Sequence, residues 1–282
     1  MIVVTRFAPS PTGYLHLGHA YSALYASHTA ADAGAGGRFL VRIEDIDTGR
    51  CRPEFETAIQ EDLAWLGLEW EVPVRRQSDH MDDYADALAR LDGMGLVYPC
   101  FCSRAEIQAE IEAAGGAPHG ADGPLYPGTC RELDSDERTA RIDTGAAYAL
   151  RLDAGLASSQ TGPLSWTDEK QGEFQADTAA HGDVVLARKD VATSYHLSVT
   201  VDDHLQGVNL VTRGEDLFTA GHVQRLLQAL LGLDVPRYHH HRLITGEDGR
   251  RLAKRDSAAT IRSLREAGHD AAAVIAMIES RY

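Results

Sequence analysis

Arg6-Phe7-Ala8-Pro9-Ser10-Pro11-Thr12-Gly13-Tyr14-Leu15-His16-Leu17-Gly18-His19 is the stretch on which the reading of this chain turns. Ile2-Val3-Val4 before it reads as a short buried strand. Ala20 to Ala31 after it is rich in helix formers, with apolar residues at helical spacing. Two prolines and a glycine in Pro9 to Gly13 forbid regular structure between the two. The order is therefore strand, tight loop, helix, with His16, Gly18 and His19 where the helix begins. A helix N-terminus offers unpaired N–H groups and partial positive charge, which suit an anion. Gly18 carries no side chain, so a ligand can approach the backbone. Two histidines beside that point can donate hydrogen bonds to phosphate oxygens. The chemistry that fits is nucleotide binding with charge stabilised on a phosphate; the competing reading is a pair of solvated caps.

Working outward, Arg38 to Ile43 is a second strand that ends in Glu44-Asp45-Ile46-Asp47, where open α/β sheets bind their ligands. Glu54 to Leu66 reads as a helix, with Pro53 at its start and Gly67 as its stop. Arg75 to Ser78 reads as a further strand, and His80 to Met94 as a further helix. Strand-helix repeats of this kind predict an α/β fold with a doubly wound parallel sheet. The pattern changes near Tyr98: Cys100-Phe101-Cys102 leads into a helix from Arg104 to Ala114, then a Gly- and Pro-rich run from Gly115 to Gly128. Short strands are expected within 141–153 and 162–166. Asp183 to Arg188 and Val208 to Arg213 resume the strand pattern, with Gly214-Glu215-Asp216 after the latter. Thr219 to Leu231 is an apolar-faced helix and His239 to Ile244 a strand. The expected organisation is a catalytic domain in two halves, 1–97 and 181–238, an insertion over 98–180, and a loop with a short helical tail over 239–282.

The 282 residues suffice for one large or two modest domains. Lys and Arg number 27 against 42 Asp and Glu, a net charge of −15. That argues against nonspecific coating of nucleic acid, which needs clustered cations, but leaves room for a local basic patch. No basic-then-apolar leader follows Met1, and no apolar run approaches the ~20 residues that cross a bilayer. A cytoplasmic monomer, with no membrane partner, is expected. In that compartment the four cysteines read as thiols or metal ligands rather than disulfides.

The pattern Arg-Phe-Ala-Pro-Ser-Pro-Thr-Gly-x-Leu-His-x-Gly-His resembles the first signature of the class I aminoacyl-tRNA synthetases, and within them the glutamate-specific branch. Arg250-Arg251-Leu252-Ala253-Lys254-Arg255-Asp256 resembles their second signature, a loop centred on Lys-Met-Ser-Lys-Ser. Only the second lysine is kept, as Lys254; Arg251 and Leu252 replace the first Lys and the Met, and Ala253 lacks the hydroxyl. The resemblance extends from Arg6 to about Ala267 and implies a Rossmann-like catalytic domain. It implies ATP-dependent activation of L-glutamate with Mg²⁺, with His16, Gly18, His19 and Lys254 at the ATP and His16, His19 and Lys254 catalytic. Arg6, Phe7, Ala8, Pro9, Ser10, Glu44, Tyr195 and Arg213 match amino-acid-binding positions. The chemistry agrees: a guanidinium fork suits the substrate's side-chain carboxylate, Glu44 can hold its ammonium, and Tyr195 can close the pocket.

Cys100, Cys102 and Cys130 supply three ligands of the kind zinc prefers, and zinc takes four in a tetrahedron. The resemblance supplies Tyr126 as the fourth, with His119 the conventional competitor. Cys51 reads as a plain thiol. In His239-His240-His241 strand alternation sends the middle ring to the opposite face, against a metal there. Only 26 residues follow Asp256, too few for an anticodon-binding domain. The resembled family has a truncated branch of this shape, which implies glutamyl transfer to queuosine, the modified wobble base in the anticodon loop of tRNA(Asp). The alternatives are a shortened ordinary synthetase charging a tRNA 3′ end, a nucleotidyltransferase using His-x-Gly-His, or an inactive RNA-binding relative.

Overall fold

Val4–Phe7 (β1) and Arg38–Ile43 (β2) pair in parallel through Val4↔Arg38 to Phe7↔Val41, and Arg75–Arg76 (β3) extends them beyond β2. Leu17–Asp32 (α1) crosses between β1 and β2. It buries Leu17, Ala20, Tyr21, Ala23, Leu24, Ala26 and Ala30, a helical stripe facing the sheet. The turn from α1 into β2 requires glycine at 37, because a Cβ there would lie 1.8 Å from the Ala30 carbonyl oxygen. The structure is a computed structural model that describes residues 2–113, 119–120, 123–178, 181–244 and 259–281, with backbone only at 119–120 and 123–124.

Further along come Pro53–Trp65 (α2), Met81–Gly93 (α3), Val97–Cys100 (β4), Arg104–Ala113 (α4), His119–Gly120 (β5), Gly123–Pro124 (β6) and Ser135–Asp143 (α5). Ala149–Leu152 (β7), Ala154–Thr161 (α6), Ser165–Asp168 (β8), Gly172–Gln175 (β9), Val185–Ala187 (β10) and Tyr195–Leu205 (α7) follow. The chain continues with Leu210–Gly214 (β11), Ala220–Leu231 (α8), Arg237–His241 (β12), Ile261–Glu266 (α9) and Ala271–Glu279 (α10). Each helix expected from periodicity is present within a residue or two among the described residues. α2 begins at Pro53, whose missing N–H would have been unpaired in the first turn in any case.

The α/β fold with parallel strands expected from the sequence forms, but the strands do not make one continuous parallel sheet. The parallel strands make two sheets, β1-β2-β3 and β11-β12-β8, and β9 adds to β8 in antiparallel register. β10, expected to resume the parallel sheet, pairs instead with β7, and β4, β7 and β10 form a separate antiparallel sheet. The antiparallel placement of β9 has a local reason: Ser165–Gln175 is a short hairpin, and a connection that short reverses the chain and cannot cross over to a parallel neighbour. Asn209 joins the two parallel sheets. Its Oδ1 accepts from the Val4 amide at 2.9 Å, its Nδ2 donates to the Ile2 carbonyl at 2.7 Å, and its own amide donates to the Val4 carbonyl at 3.2 Å. β1 and β11 thus lie side by side, so both carry their C-terminal ends to the same place.

Two cores flank this framework. The first lies around α1 and takes in Ile261, Val274 and Ile278, so α9 and α10 pack into the same body as the first signature. Arg265 of α9 pairs with buried Asp62 of α2 at 2.8 Å, and Ile261 donates its amide to the Leu15 carbonyl at 2.8 Å. The second core gathers Tyr84 and Leu91 of α3, Leu152, Leu186, Leu197 of α7, and Leu227 of α8. Each such side chain contributes about 1.5–3 kcal/mol relative to exposure. No helix among the described residues is long and apolar enough to cross a membrane.

Because Asn209 satisfies the Val4 amide on a buried strand, Asn209→Ala is expected to cost about 1–3 kcal/mol. Urea unfolding should show a lower midpoint with an unchanged slope; an unchanged midpoint would mean that packing and the backbone bond from residue 209 to the Val4 carbonyl suffice to join the sheets.

Candidate active site

The C-terminal ends of β1, β2, β11 and β12 open onto a cleft of about 320 Å³. Arg6, Phe7, Ala8, Pro9, Ser10, His16, Gly18, His19, Glu44, Tyr195 and Arg213 all line it. The structure therefore brings together every described residue singled out for glutamate or ATP. Lys254 lies outside the described residues, as does the rest of the basic stretch from Arg250 to Asp256.

The start of α1 differs from the open helix end expected. His16 is the N-cap and accepts the Gly18 amide on Nδ1 at 3.1 Å, while His19 Nδ1 accepts the His16 amide at 3.3 Å. This is a capping box made by two imidazoles, whose rings stack at 3.7 Å. Nδ1 is an acceptor in both, so each neutral ring carries its proton on Nε2, the nitrogen able to donate to phosphate. Gly18 also favours the cap in a way the sequence did not disclose: a Cβ there would sit 3.1 Å from the His16 ring, closer than ordinary contact, and the ring would have to shift by a few tenths of an ångström.

Below the cleft lies a network of buried charge. Arg6 donates Nε to Asp203 Oδ1 at 3.1 Å and Nη1 to the Thr212 carbonyl at 3.0 Å. Arg42, fully buried on β2, donates Nη1 to the same Asp203 oxygen at 2.8 Å and Nη2 to Glu44 Oε1 at 3.2 Å. The neighbouring Asp202 accepts from Arg75 at 2.7 Å, Gln77 at 2.8 Å and Tyr84 at 3.0 Å. Burial tends to raise the Asp203 pKa, but Arg6 and Arg42 outweigh it and hold the carboxyl below the usual range. For Glu44 the balance is opposite. Burial dominates and raises its pKa although Arg42 and Arg6 oppose it, so a further cation beside Glu44 would be stabilised. Arg42, Asp202 and Asp203 were not singled out from the sequence. The available signal was a charge inside the buried strand pattern Arg-Phe-Leu-Val-Arg-Ile, which requires partners.

On β12 the alternation expected of the three histidines is seen. His239 and His241 meet Tyr25 and Tyr21 of α1, whereas His240 turns to the opposite face. There its Nε2 accepts from Arg213 Nε at 2.9 Å and its Nδ1 meets Asp168 Oδ2 at 2.8 Å. Arg213 Nη1 donates to Gln224 at 2.9 Å, and Nη2 has no partner among the described residues.

Away from the cleft, the Sγ atoms of Cys100, Cys102 and Cys130 all lie within 4.8 Å of one another. Cys102 and Cys130 are 3.4 Å apart, and the Tyr126 hydroxyl is 3.7 Å from Cys102. A tetrahedral zinc with thiolates at ~2.3 Å needs ligand separations of roughly 3.8 Å, so this set fits such an ion. It does not fit a disulfide, whose sulfurs lie ~2.0 Å apart. Burial pushes the Cys102 thiol up to about 11. Burial also acts to raise Cys130, but bonds from Tyr126 and the Phe101 amide outweigh it and lower its pKa. The side chain of His119, the competing ligand, is outside the described residues. Cys51 stands apart from the cluster.

Residues 2–282 match the family model of the class I tRNA synthetases (E and Q), catalytic domain. The chain belongs to the class I tRNA synthetases of the E and Q type. Among these synthetases it is 52% identical to a Glutamyl-Q tRNA(Asp) synthetase of Rhodobacter capsulatus, over 94% of this chain and 96% of that one. It is 40% identical to Glutamate--tRNA ligase 2 of Acidithiobacillus ferrooxidans, of which it covers 57%. A solved glutamate-tRNA synthetase of Elizabethkingia anophelis superposes with a TM-score of 0.80 at 29% identity, over 99% of this chain and 61% of that one. The chain thus spans about three-fifths of the length of that solved synthetase.

Burial first, and the Arg213 charge second, lower the His240 pKa from 6.5 to about 4, with Asp168 opposing. The folded ring refuses a proton that the unfolded chain accepts between these values, so this group's contribution to stability falls as pH drops from 6.5 towards 4. Denaturant unfolding at pH 7 and pH 5 should show a smaller loss of stability in His240→Gln than in the wild type. Equal losses would mean that His240 does not contribute to the acid sensitivity.

Proposed function

We propose that this synthetase activates L-glutamate with ATP and passes the glutamyl group to queuosine at the wobble position of tRNA(Asp). The observation that carries the reading is the order of charge in one cleft: Arg213, whose Nη2 has no partner among the described residues, Glu44 partly compensated by Arg42 and Arg6, and the His16–His19 pair at the helix start. A substrate with a side-chain carboxylate, an ammonium and a reacting α-carboxylate matches that order. The name of the Rhodobacter capsulatus relative, a Glutamyl-Q tRNA(Asp) synthetase, supports the acceptor.

In this reading Arg213 takes the side-chain carboxylate, with Arg6 beside it holding the floor of the pocket. Glu44 takes the ammonium, Phe7 to Ser10 form one wall and Tyr195 closes the other. An oxygen of the α-carboxylate attacks the α-phosphorus of ATP. The bond from that phosphorus to the bridging oxygen of the leaving pyrophosphate breaks, giving glutamyl-adenylate. His16 and His19 donate from Nε2 to oxygens on which negative charge grows, a role worth far more in a partly desolvated cleft than in water. Lys254 is assigned to the leaving phosphates, and Mg²⁺ accompanies the ATP. In the second step a hydroxyl of the acceptor attacks the glutamyl carbonyl carbon, gives up its proton, and AMP departs.

Cys100, Cys102, Tyr126 and Cys130 are assigned to one zinc ion. Four protein ligands leave no open position, so the metal is structural and ties β4 to the segment around Tyr126. Metal analysis of purified protein should find one zinc per chain, lost in Cys100→Ser. A stoichiometric zinc that survives this change would refute the ligand set.

The function is tested by incubating the protein with labelled glutamate, ATP and tRNA(Asp) with or without queuosine, followed by nuclease digestion. Label is expected in the anticodon-loop fragment of the queuosine-containing tRNA alone. Label on the 3′-terminal adenosine would identify an ordinary synthetase. Pyrophosphate exchange that proceeds without glutamate would point to a nucleotidyltransferase.

A further inference from the structure

The guanidinium of Arg213 is held in place by a chain of buried groups that no signature motif contains. Arg213 is 5% exposed and lines the cleft, but its neighbours His240 and Asp168 lie behind it, with side chains 0% exposed. Asp168 Oδ1 accepts the amides of Lys170 and Gln171, both at 2.9 Å. Its Oδ2 accepts the His240 amide at 3.0 Å and meets His240 Nδ1 at 2.8 Å. Three of these partners are backbone donors, so the site is fitted to a group that only accepts, as an ionised carboxylate does. Facing such a group, His240 must carry its proton on Nδ1. Its Nε2 is then a lone-pair acceptor, which is what Arg213 Nε, always a donor, requires at 2.9 Å. With Nε bound to His240 and Nη1 to Gln224, the plane of the guanidinium is fixed, and the buried Nη2, which has no partner among the described residues, is the atom assigned to the substrate's side-chain carboxylate.

We propose that Asp168 and His240 act as a tautomer lock that positions Arg213, so that recognition of the substrate's side-chain carboxylate depends on two residues that never touch it. The inference rests on the glutamate reading given above. With the other tautomer, two N–H groups would face each other between His240 and Arg213, and the fork would turn away. The lock spans three strands, since β8, β12 and β11 lie in consecutive order in one sheet and contribute Asp168, His240 and Arg213 respectively. It also gives the short β8 a role in specificity.

The test compares wild type, His240→Leu and His240→Gln in pyrophosphate exchange with glutamate and with glutamine, and records thermal unfolding of each. His240→Leu should lower kcat/KM for glutamate on the order of 10- to 100-fold, the loss usual for a misplaced binding group. The preference for glutamate over glutamine should fall with it, while KM for ATP stays unchanged. Gln offers an acceptor to Arg213 and a donor to Asp168, so His240→Gln should recover most of the preference. A folded His240→Leu protein that keeps the wild-type preference would overturn the lock. Should the leucine variant fail to fold, ¹⁵N shifts of histidine-labelled wild type decide, with the resonance assigned by its loss in His240→Gln. A neutral ring protonated on Nδ1 supports the lock, and one protonated on Nε2 overturns it. A wild-type protein indifferent to glutamate would sink the functional reading instead, and the nitrogen shifts would still decide the tautomer.

Discussion

The structure depends on a carboxylate shared by two arginines. Asp203 on α7 accepts from Arg6 of β1 and Arg42 of β2 through the same oxygen. None of the three charges can be buried alone, since an isolated ion in the interior costs many kcal/mol and a broken pair several. Meeting at one point, they fix α7 against two parallel strands at the level where those strands end. Asp202 does the same one residue earlier, drawing in β3 and α3 through Arg75 and Tyr84. Packing alone tolerates shifts between helix and sheet that a forked ion pair does not. The floor of the cleft is therefore held by paired charge as well as by packing.

The functional groups inherit their placement from that floor. Glu44 follows β2 and is tied to Arg42, and the Glu44 amide donates to the Pro9 carbonyl at 3.0 Å. The prolines of the first loop are thereby fastened to the end of the second strand. Tyr195 opens α7, eight residues before Asp203, so the helix that carries the shared carboxylate also carries one wall of the pocket. Arg213 is held from the other side, through strands that reach β1 by way of Asn209. Rigidity at a binding site has a physical return: a fork fixed before the substrate arrives loses little further freedom when it binds.

The start of α1 shows one motif serving structure and chemistry together. His16 and His19 satisfy amides at the helix start with one nitrogen each, which leaves the proton on the other. A cap of Ser or Asp would satisfy the same amides but would offer no ring N–H to an anion. The glycine between them makes room for the first ring and not only for a ligand.

The sequence alone determined what depends on near neighbours. The loop of Pro9 to Gly13 between a strand and a helix, the extents of α1 to α4 and α8, the opposite facing of His240, and the grouping of three cysteines were legible because each follows from local periodicity or spacing, whereas α5, α6, α7 and α9 were not read as helices. The family resemblance also pointed to Arg6, Glu44, Tyr195 and Arg213, which the structure gathers around one cleft. Only the tertiary structure decided which buried charges meet. Arg42 and Asp203 are 161 residues apart, and His240 and Asp168 are 72 apart. Strand alternation tells which face a residue takes but not what lies across from it. Sheet order likewise escaped the sequence: β8 and β9 read as part of an insertion, yet they join β12, because a hairpin's pattern does not say which free edge it will complete. Partners at such separations are chosen by the requirement that every buried charge find an opposite one, a condition on the whole fold that no single stretch of chain expresses.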